Sequence, residues 1–184
     1  MALTESKAFK NGTLAPEFSL QDVVTGKTIN LQQLKGDQGT VIMFICNHCP
    51  FVVHINTELV KLADHYKAKG IGFIAISSND AEKYPQDRPE LMKQVASKLK
   101  YPFPYLYDET QEVAKAYNAT CTPDFYVFNS NLEAVYHGRL DNSRPGNQKE
   151  VNGRDLRNAL DRLIANKPPA EDQKPSVGCG IKWK

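Results

Sequence analysis

Four cysteines, one tryptophan and a formal net charge of +2 are what this 184-residue chain is short of. Each scarcity excludes something. Cys46, Cys49, Cys121 and Cys179 are too few to staple a chain of this length into a disulfide scaffold. A charge so near zero gives no grip on nucleic acid or on an anionic membrane surface. Neither a block of like charges nor an RNA-binding aromatic motif occurs. No apolar run is long enough to cross a bilayer. The opening stretch from Met1 to Lys10 lacks the apolar core of a secretory signal, so a reducing cytoplasm is the expected compartment. What remains is ordinary for a soluble protein, 41% hydrophobic and 24% charged, and long enough for a substantial core. With no repeat in sight, a single domain over 1–184 is expected, its core at about 12–165 and a carboxyl-terminal tail over 166–184.

The chemistry concentrates in one stretch, Val41 to His54. Val41-Ile42-Met43-Phe44-Ile45 is an apolar run of the length of a buried strand. Cys46 and Cys49 follow in C-x-x-C spacing, then Pro50. Beyond Pro50, Val52, Ile55, Leu59, Leu62, Ala63 and Tyr66 recur at helical spacing. Proline is favoured in a first helical turn, where its missing N–H has no partner anyway. Two thiols therefore stand at the end of a strand and the start of a helix. That start carries free N–H groups and about half a positive charge. A thiolate is an anion, so its pKa falls there, and the thiolate is the reactive form. In a cytosolic chain this spacing beside a strand–helix pattern reads as redox first and metal second.

The rest of the chain frames that stretch. Ala15 to Leu20 alternates as a half-buried strand does, and Thr28 to Leu31 pairs back across a Thr25-Gly26-Lys27 turn. Leu31 to Gly36 reads as one helical turn ended by its glycine. The first long helix runs from about Pro50 to Lys69 and stops at Gly70. Ile71 to Ser77 is a second buried strand, parallel to the first in a βαβ unit. A Pro-bearing loop leads to a helix over Glu90–Lys100. Phe103 to Tyr107 is extended, and Asp108 caps a helix over Glu109–Tyr117. Thr120 to Pro123 is a turn. Asp124 to Phe128 and Glu133 to Gly138 form a hairpin, and Asn152 caps a last helix over Gly153–Ala165. Ile181 and Trp183 give the tail a reason to dock.

This order, with "APEFSLQDVVTGKTINLQQLKG" leading in and Thr122-Pro123 before an apolar strand, resembles the thioredoxin-like fold. More narrowly it resembles the redoxin branch, which includes the peroxiredoxins of AhpC/TSA type and the cytochrome-maturation thiol–disulfide oxidoreductases. The resemblance implies an α/β protein, a three-layer α/β/α sandwich with a mixed central sheet and an amino-terminal β-hairpin extension. It also implies a cis peptide at Pro123, packed beside the reactive thiol. Counted from Phe44, the attacking cysteine of such proteins falls on Cys49. The partner place three residues on holds Val52, and the place three residues earlier, a threonine in peroxiredoxins, holds Cys46. The acidic residue that thioredoxins keep six places before their nucleophile falls on Met43.

The expected activity is thiol–disulfide exchange, with Cys49 attacking a protein disulfide and Cys46 resolving the mixed disulfide. Exposure decides whether the two roles are reversed. An external thiol would reduce the pair again, and no cofactor is called for. A peroxiredoxin-like peroxidase is the alternative, with peroxide as substrate and Cys46, Cys121 or Cys179 resolving. A metal-binding module is the other, with Cys46, Cys49, Cys121 and His48 or Cys179 as ligands. His48, between two thiols, is expected to steady a thiolate; His54 is given no role. By the resemblance Cys121 lies near the site, and Arg139 or Arg144 serves beside the thiol. Cys179 sits in a Gly-Cys-Gly setting that suits a mobile resolving cysteine.

Overall fold

The computed structural model describes residues 3–184. Met1 and Ala2, which open the expected domain, lie outside the described residues. Strand β1 is Leu3–Glu5, and β2 (Ser19–Asp22) turns back into β3 (Thr28–Asn30). The turn forms because Gly26 adopts φ +74 and the Asp22 carboxylate accepts from the backbone N–H of Val24 and Thr25 and from the Thr25 hydroxyl. A reciprocal cap then starts α1 (Leu31–Leu34). Asn30 accepts from the Gln33 N–H while the Gln33 side chain accepts from the Asn30 N–H.

Gly36 does not end α1 in the expected left-handed conformation; the C-cap is Lys35, in extended backbone. Its role is close approach. A Cβ at Gly36 would lie 2.2 Å from the Gly72 nitrogen and 2.5 Å from the carbonyl oxygens of Gly39 and Gly70. All three obstacles are backbone. Gly36→Ala is therefore expected to destabilise the protein by more than about 2 kcal/mol, read as a lower urea midpoint. An unchanged midpoint would mean that the loop is loosely packed.

Strand β4 (Gly39–Phe44) is buried along its whole length, as a strand covered on both faces must be. Helix α2 (Pro50–Lys67) buries Val52, Ile55, Leu59, Leu62, Ala63 and Tyr66, the face its periodicity marked, and Gly70 closes it at φ +83. Strand β5 (Ile71–Ser77) lies parallel to β4. The loop beyond it contains a 3-10 turn over Pro85–Asp87, then α3 (Pro89–Leu99), β6 (Tyr105–Tyr107) and α4 (Glu112–Ala116). Helix α4 is shorter than expected. Asp108 still accepts from the Ala114 N–H, but Gln111, at φ 65, is the capping residue.

Thr120 to Pro123 is not only a turn. Cys121–Thr122 forms a short strand, β7, followed by a cis Thr122–Pro123 peptide. The hairpin of β8 (Asp124–Asn129) and β9 (Ala134–Gly138) leads to α5 (Arg154–Ile164). Gly153, not Asn152, caps α5; the Asp141 carboxylate takes the N–H groups of both. The tail docks as β10 (Val177–Gly180). Ile181 is buried, while Trp183 stays 40% exposed, so strand pairing and not the indole holds the tail.

The main sheet runs β3-β2-β6-β5-β4-β8-β9, with β4, β5 and β6 parallel and the other pairings antiparallel. Along β4 the side chains alternate between two cores. Val41 and Met43 pack with α2, α3 and α5; Ile42 and Phe44 pack with Leu31, Ala114 and Tyr117 on the other face. Burying each such side chain stabilises by about 1.5–3 kcal/mol, which holds the end of β4 rigid. The result is the α/β/α sandwich that the resemblance implied. A small second sheet, β1-β10-β7, sits over the end of β4 where the cysteines lie.

Candidate active site

Cys46 leaves the end of β4, and Cys49 occupies the N-cap of α2 with Pro50 in its first turn. The Cys49 side chain forms no cap hydrogen bond of its own. Its thiolate is favoured by its surroundings instead. The neighbouring Cys46 thiol does most, and the Cys179 thiol, the Val52 N–H and the Thr122 side chain add to it. Together they outweigh burial and draw the Cys49 pKa down to about 5. The Thr122 carbonyl, 3.3 Å from the Cys49 sulfur, accepts only from the neutral thiol and works against that ionisation. The helix start thus does what the sequence implies, but a second thiol contributes more than the backbone.

Cys46 moves the other way. Its proton is engaged by Cys49, it is buried, and the Asp87 charge is close by, so its pKa rises well above that of a free thiol. The Thr122 hydroxyl lies 3.4 Å from its sulfur. The two sulfurs of the motif therefore sit in opposed surroundings, one at the helix start and one buried near a carboxylate.

Pro123 stands beside this pair in the cis form, with Thr122 before it touching both sulfurs. Cys121 lies one residue further back. It is fully buried, which with the charge of Asp124 keeps its thiol protonated. Among the described residues it forms no hydrogen bond to another sulfur, so the structure places it near the site without joining it. Cys179 does join. Its sulfur is 2.7 Å from that of Cys49, and burial and that contact push its pKa up to about 12. All four cysteines are free.

His48 lies near the Cys46 sulfur, but its closest polar neighbour is a carboxylate. Its Nδ1 lies 2.7 Å from Asp87 Oδ2, out of line for a hydrogen bond, and its ring stacks on Tyr84 at 5.8 Å. Asp87 is the residue that the sequence did not announce. It is fully buried and accepts from the Asn47 N–H and the Asn79 amide, each at 2.8 Å. The place in β4 where an acid was sought holds Met43, and a carboxylate arrives from the distant 3-10 turn instead. A Pro-Gln-Asp-Arg-Pro run was its only trace in sequence.

Cys46 Sγ, a His48 ring nitrogen and an Asp87 oxygen lie within 4.8 Å of one another. That donor set differs from the ligands expected for a metal module, since Cys121 is not in it. The His48–Asp87 contact is also tighter than the roughly 3.3 Å between two ligands on one tetrahedral zinc. Arg139 is held by Asp155 at 2.6 Å. With Arg144, His54, Phe51, Pro123 and Val177 it lines a shallow cleft on the rim of the sulfur site.

Comparison with known proteins places this geometry. Residues 11–137 match the model of the AhpC/TSA family. Thiol-disulfide oxidoreductase ResA of Halalkalibacterium halodurans is 28% identical over 125 residues, which covers 67% of this chain and 65% of that protein. Among solved structures, an uncharacterized conserved protein from Geobacillus kaustophilus is 59% identical, with a TM-score of 0.98 over 100% of this chain and 97% of the other. A hypothetical protein from Sinorhizobium meliloti 1021 is 42% identical, with a TM-score of 0.96 over 98% of each chain. Since the family match runs unbroken from the amino-terminal hairpin through the sulfur-bearing junction to the end of β9, this chain belongs to the AhpC/TSA family.

Proposed function

We propose that this protein is a thiol–disulfide oxidoreductase whose redox pair is Cys49 and Cys46. The observation that carries the proposal is the placement of the pair: Cys49 is the N-cap of α2, where a thiolate is favoured and its pKa is drawn down, and Cys46 stands three residues before it, buried near Asp87 with its thiol pushed up. The likeness to ResA supports the same activity.

In this mechanism the Cys49 thiolate attacks one sulfur of a protein disulfide. A Cys49–substrate bond forms, and the other substrate sulfur leaves and takes up a proton. Cys46 then attacks Cys49. Its proton passes, by way of Asp87 within 4.8 Å, to the second substrate sulfur, which departs as a thiol. The chain is left with a Cys46–Cys49 disulfide, two electrons having passed to the substrate. An external dithiol reverses that last bond. The cleft bordered by Phe51 and Pro123 receives the polypeptide beside the scissile disulfide. Against the peroxidase alternative stands Cys46, which occupies the place of the hydroxyl that peroxiredoxins use.

Ultraviolet thiolate absorbance followed across pH tests the proposal, since it needs no reagent to reach a buried sulfur. With each thiol identified by its serine variant, Cys49 alone is expected to titrate with a midpoint near 5, while Cys46, Cys121 and Cys179 remain protonated at neutral pH. If no thiol ionises more readily than free cysteine, at about 8.5, the proposal falls.

A further inference from the structure

In this conformation neither member of the redox pair can be reached from solvent. Cys49 is 0% and Cys46 2% exposed. What lies against Cys49 is the tail. Strand β10 lies antiparallel to β7 with Cys179 opposite Thr122 and Gly180 opposite Cys121. On its other side it pairs with β1, Leu3 opposite Cys179. An extended polypeptide seeking Cys49 would add to the same edge of β7, since an open strand edge pairs with whatever strand arrives. The tail already holds that place and presents a cysteine sulfur 2.7 Å from Cys49.

The seat is built for it. A Cβ at Gly178 would lie 2.0 Å from the Thr122 carbonyl oxygen and 3.3 Å from Pro123 Cδ, so only glycine lets the tail come this close. The flanks are fastened. Ile181 N–H bonds the Thr120 carbonyl at 3.0 Å, Lys182 N–H bonds Asn79 Oδ1 at 2.9 Å, and the Gln111 amide bonds the Lys182 carbonyl at 2.8 Å. These contacts place the Cys179 sulfur; they do not leave it to chance.

We propose that Cys179 is a third redox sulfur, seated in the position of an incoming substrate's cysteine, and that it exchanges directly with Cys49. The proposal rests on Cys49 being the attacking thiolate. Once Cys49 holds a mixed disulfide with a substrate, the Cys179 thiol gives up its proton and attacks the Cys49 sulfur. A Cys49–Cys179 bond forms, and the substrate thiol leaves with that proton. Cys46 attacks Cys49 next, making Cys46–Cys49 and returning Cys179 to a thiol, with no net change in oxidation. The tail thus acts as an internal substrate, and the edge of β7 is free for a polypeptide only when β10 lifts away.

The test is disulfide mapping of the full chain after brief oxidation with oxidised glutathione at pH 8 and an acid quench. Cys46 and Cys49 share one tryptic peptide, since neither Lys nor Arg stands between Lys35 and Lys61. A Cys46–Cys49 bond appears as the loss of two hydrogens within that peptide. A Cys49–Cys179 bond appears as a crosslink to the tail, assigned to Cys49 and not Cys46 by fragmenting the crosslinked peptide. Cys46→Ser leaves the tail untouched and is expected to give the Cys49–Cys179 crosslink as its main oxidised product. The wild type is expected to show the same crosslink at early quench times, which covers the case of a Cys46→Ser protein that does not fold. Only glutathione adducts in Cys46→Ser, with no crosslink in the wild type at any time, would overturn the role of Cys179. If Cys179→Ser then still forms Cys46–Cys49, the redox pair stands without it; if neither bond forms in any variant, the pair itself fails.

Discussion

Cys49→Ser abolishes disulfide reduction, lowering the rate of insulin reduction with a dithiol as electron source by more than about 1,000-fold. A serine hydroxyl is not ionised at neutral pH and does not open a sulfur–sulfur bond. Nearly everything else at the site is preserved. The new hydroxyl is close in size to the thiol and can donate to the Thr122 carbonyl, which already lies 3.3 Å from the Cys49 sulfur. The fold should therefore persist, because the N-cap position supplies no side-chain hydrogen bond that serine could lose. A thermal midpoint close to that of the wild type, measured alongside the assay, separates lost chemistry from lost structure. Should the variant keep more than about a tenth of the wild-type rate, some other sulfur attacks first, and Cys46 is the nearest candidate.

How far the site could be read in the sequence depends on how local each part is. The five apolar residues before Cys46, the proline after Cys49 and the helical spacing from Val52 to Tyr66 are short-range signals, and β4 and α2 follow them closely. Pro123 was reached only through the family pattern, and its cis form matches that pattern. Asp87 and the seat of Cys179 have no local signature. Asp87 sits between prolines in what reads as loop, and its importance comes from Asn47 and Asn79, which fold around it. Val-Gly-Cys-Gly carries no strand periodicity. It becomes a strand because β1 and β7 flank it, one from the amino-terminal end and one from the body of the chain. His48 is read only in part: its place between two thiols matches a ring nitrogen within 4.8 Å of the Cys46 sulfur, but not its closer neighbours Asp87 and Tyr84, which come from a distant loop.

Cys46→Ala inverts the pH profile of Cys49 reactivity. The Cys46 thiol is the largest influence holding the Cys49 pKa near 5, and alanine removes it while keeping the site apolar. If the whole shift were lost, Cys49 would ionise near the ordinary value of about 8.5. At pH 5 the thiolate fraction would then fall from about a half to roughly 1 in 3,000. A thiolate of higher pKa is also a better nucleophile, by about 40-fold over this interval for a Brønsted slope of 0.4–0.5. The two effects together leave the variant about 40-fold slower than the wild type at pH 5, level with it near pH 7 and about 30-fold faster at pH 9. These are ceilings, because the Val52 N–H and the Cys179 thiol remain in the variant and keep part of the shift. A site merely loosened by the substitution would react faster at every pH, and one merely blocked would react slower at every pH. Only electrostatic control of Cys49 by Cys46 makes the curves cross, so iodoacetamide rates that run parallel from pH 5 to 9 would show that the two sulfurs do not act as a pair.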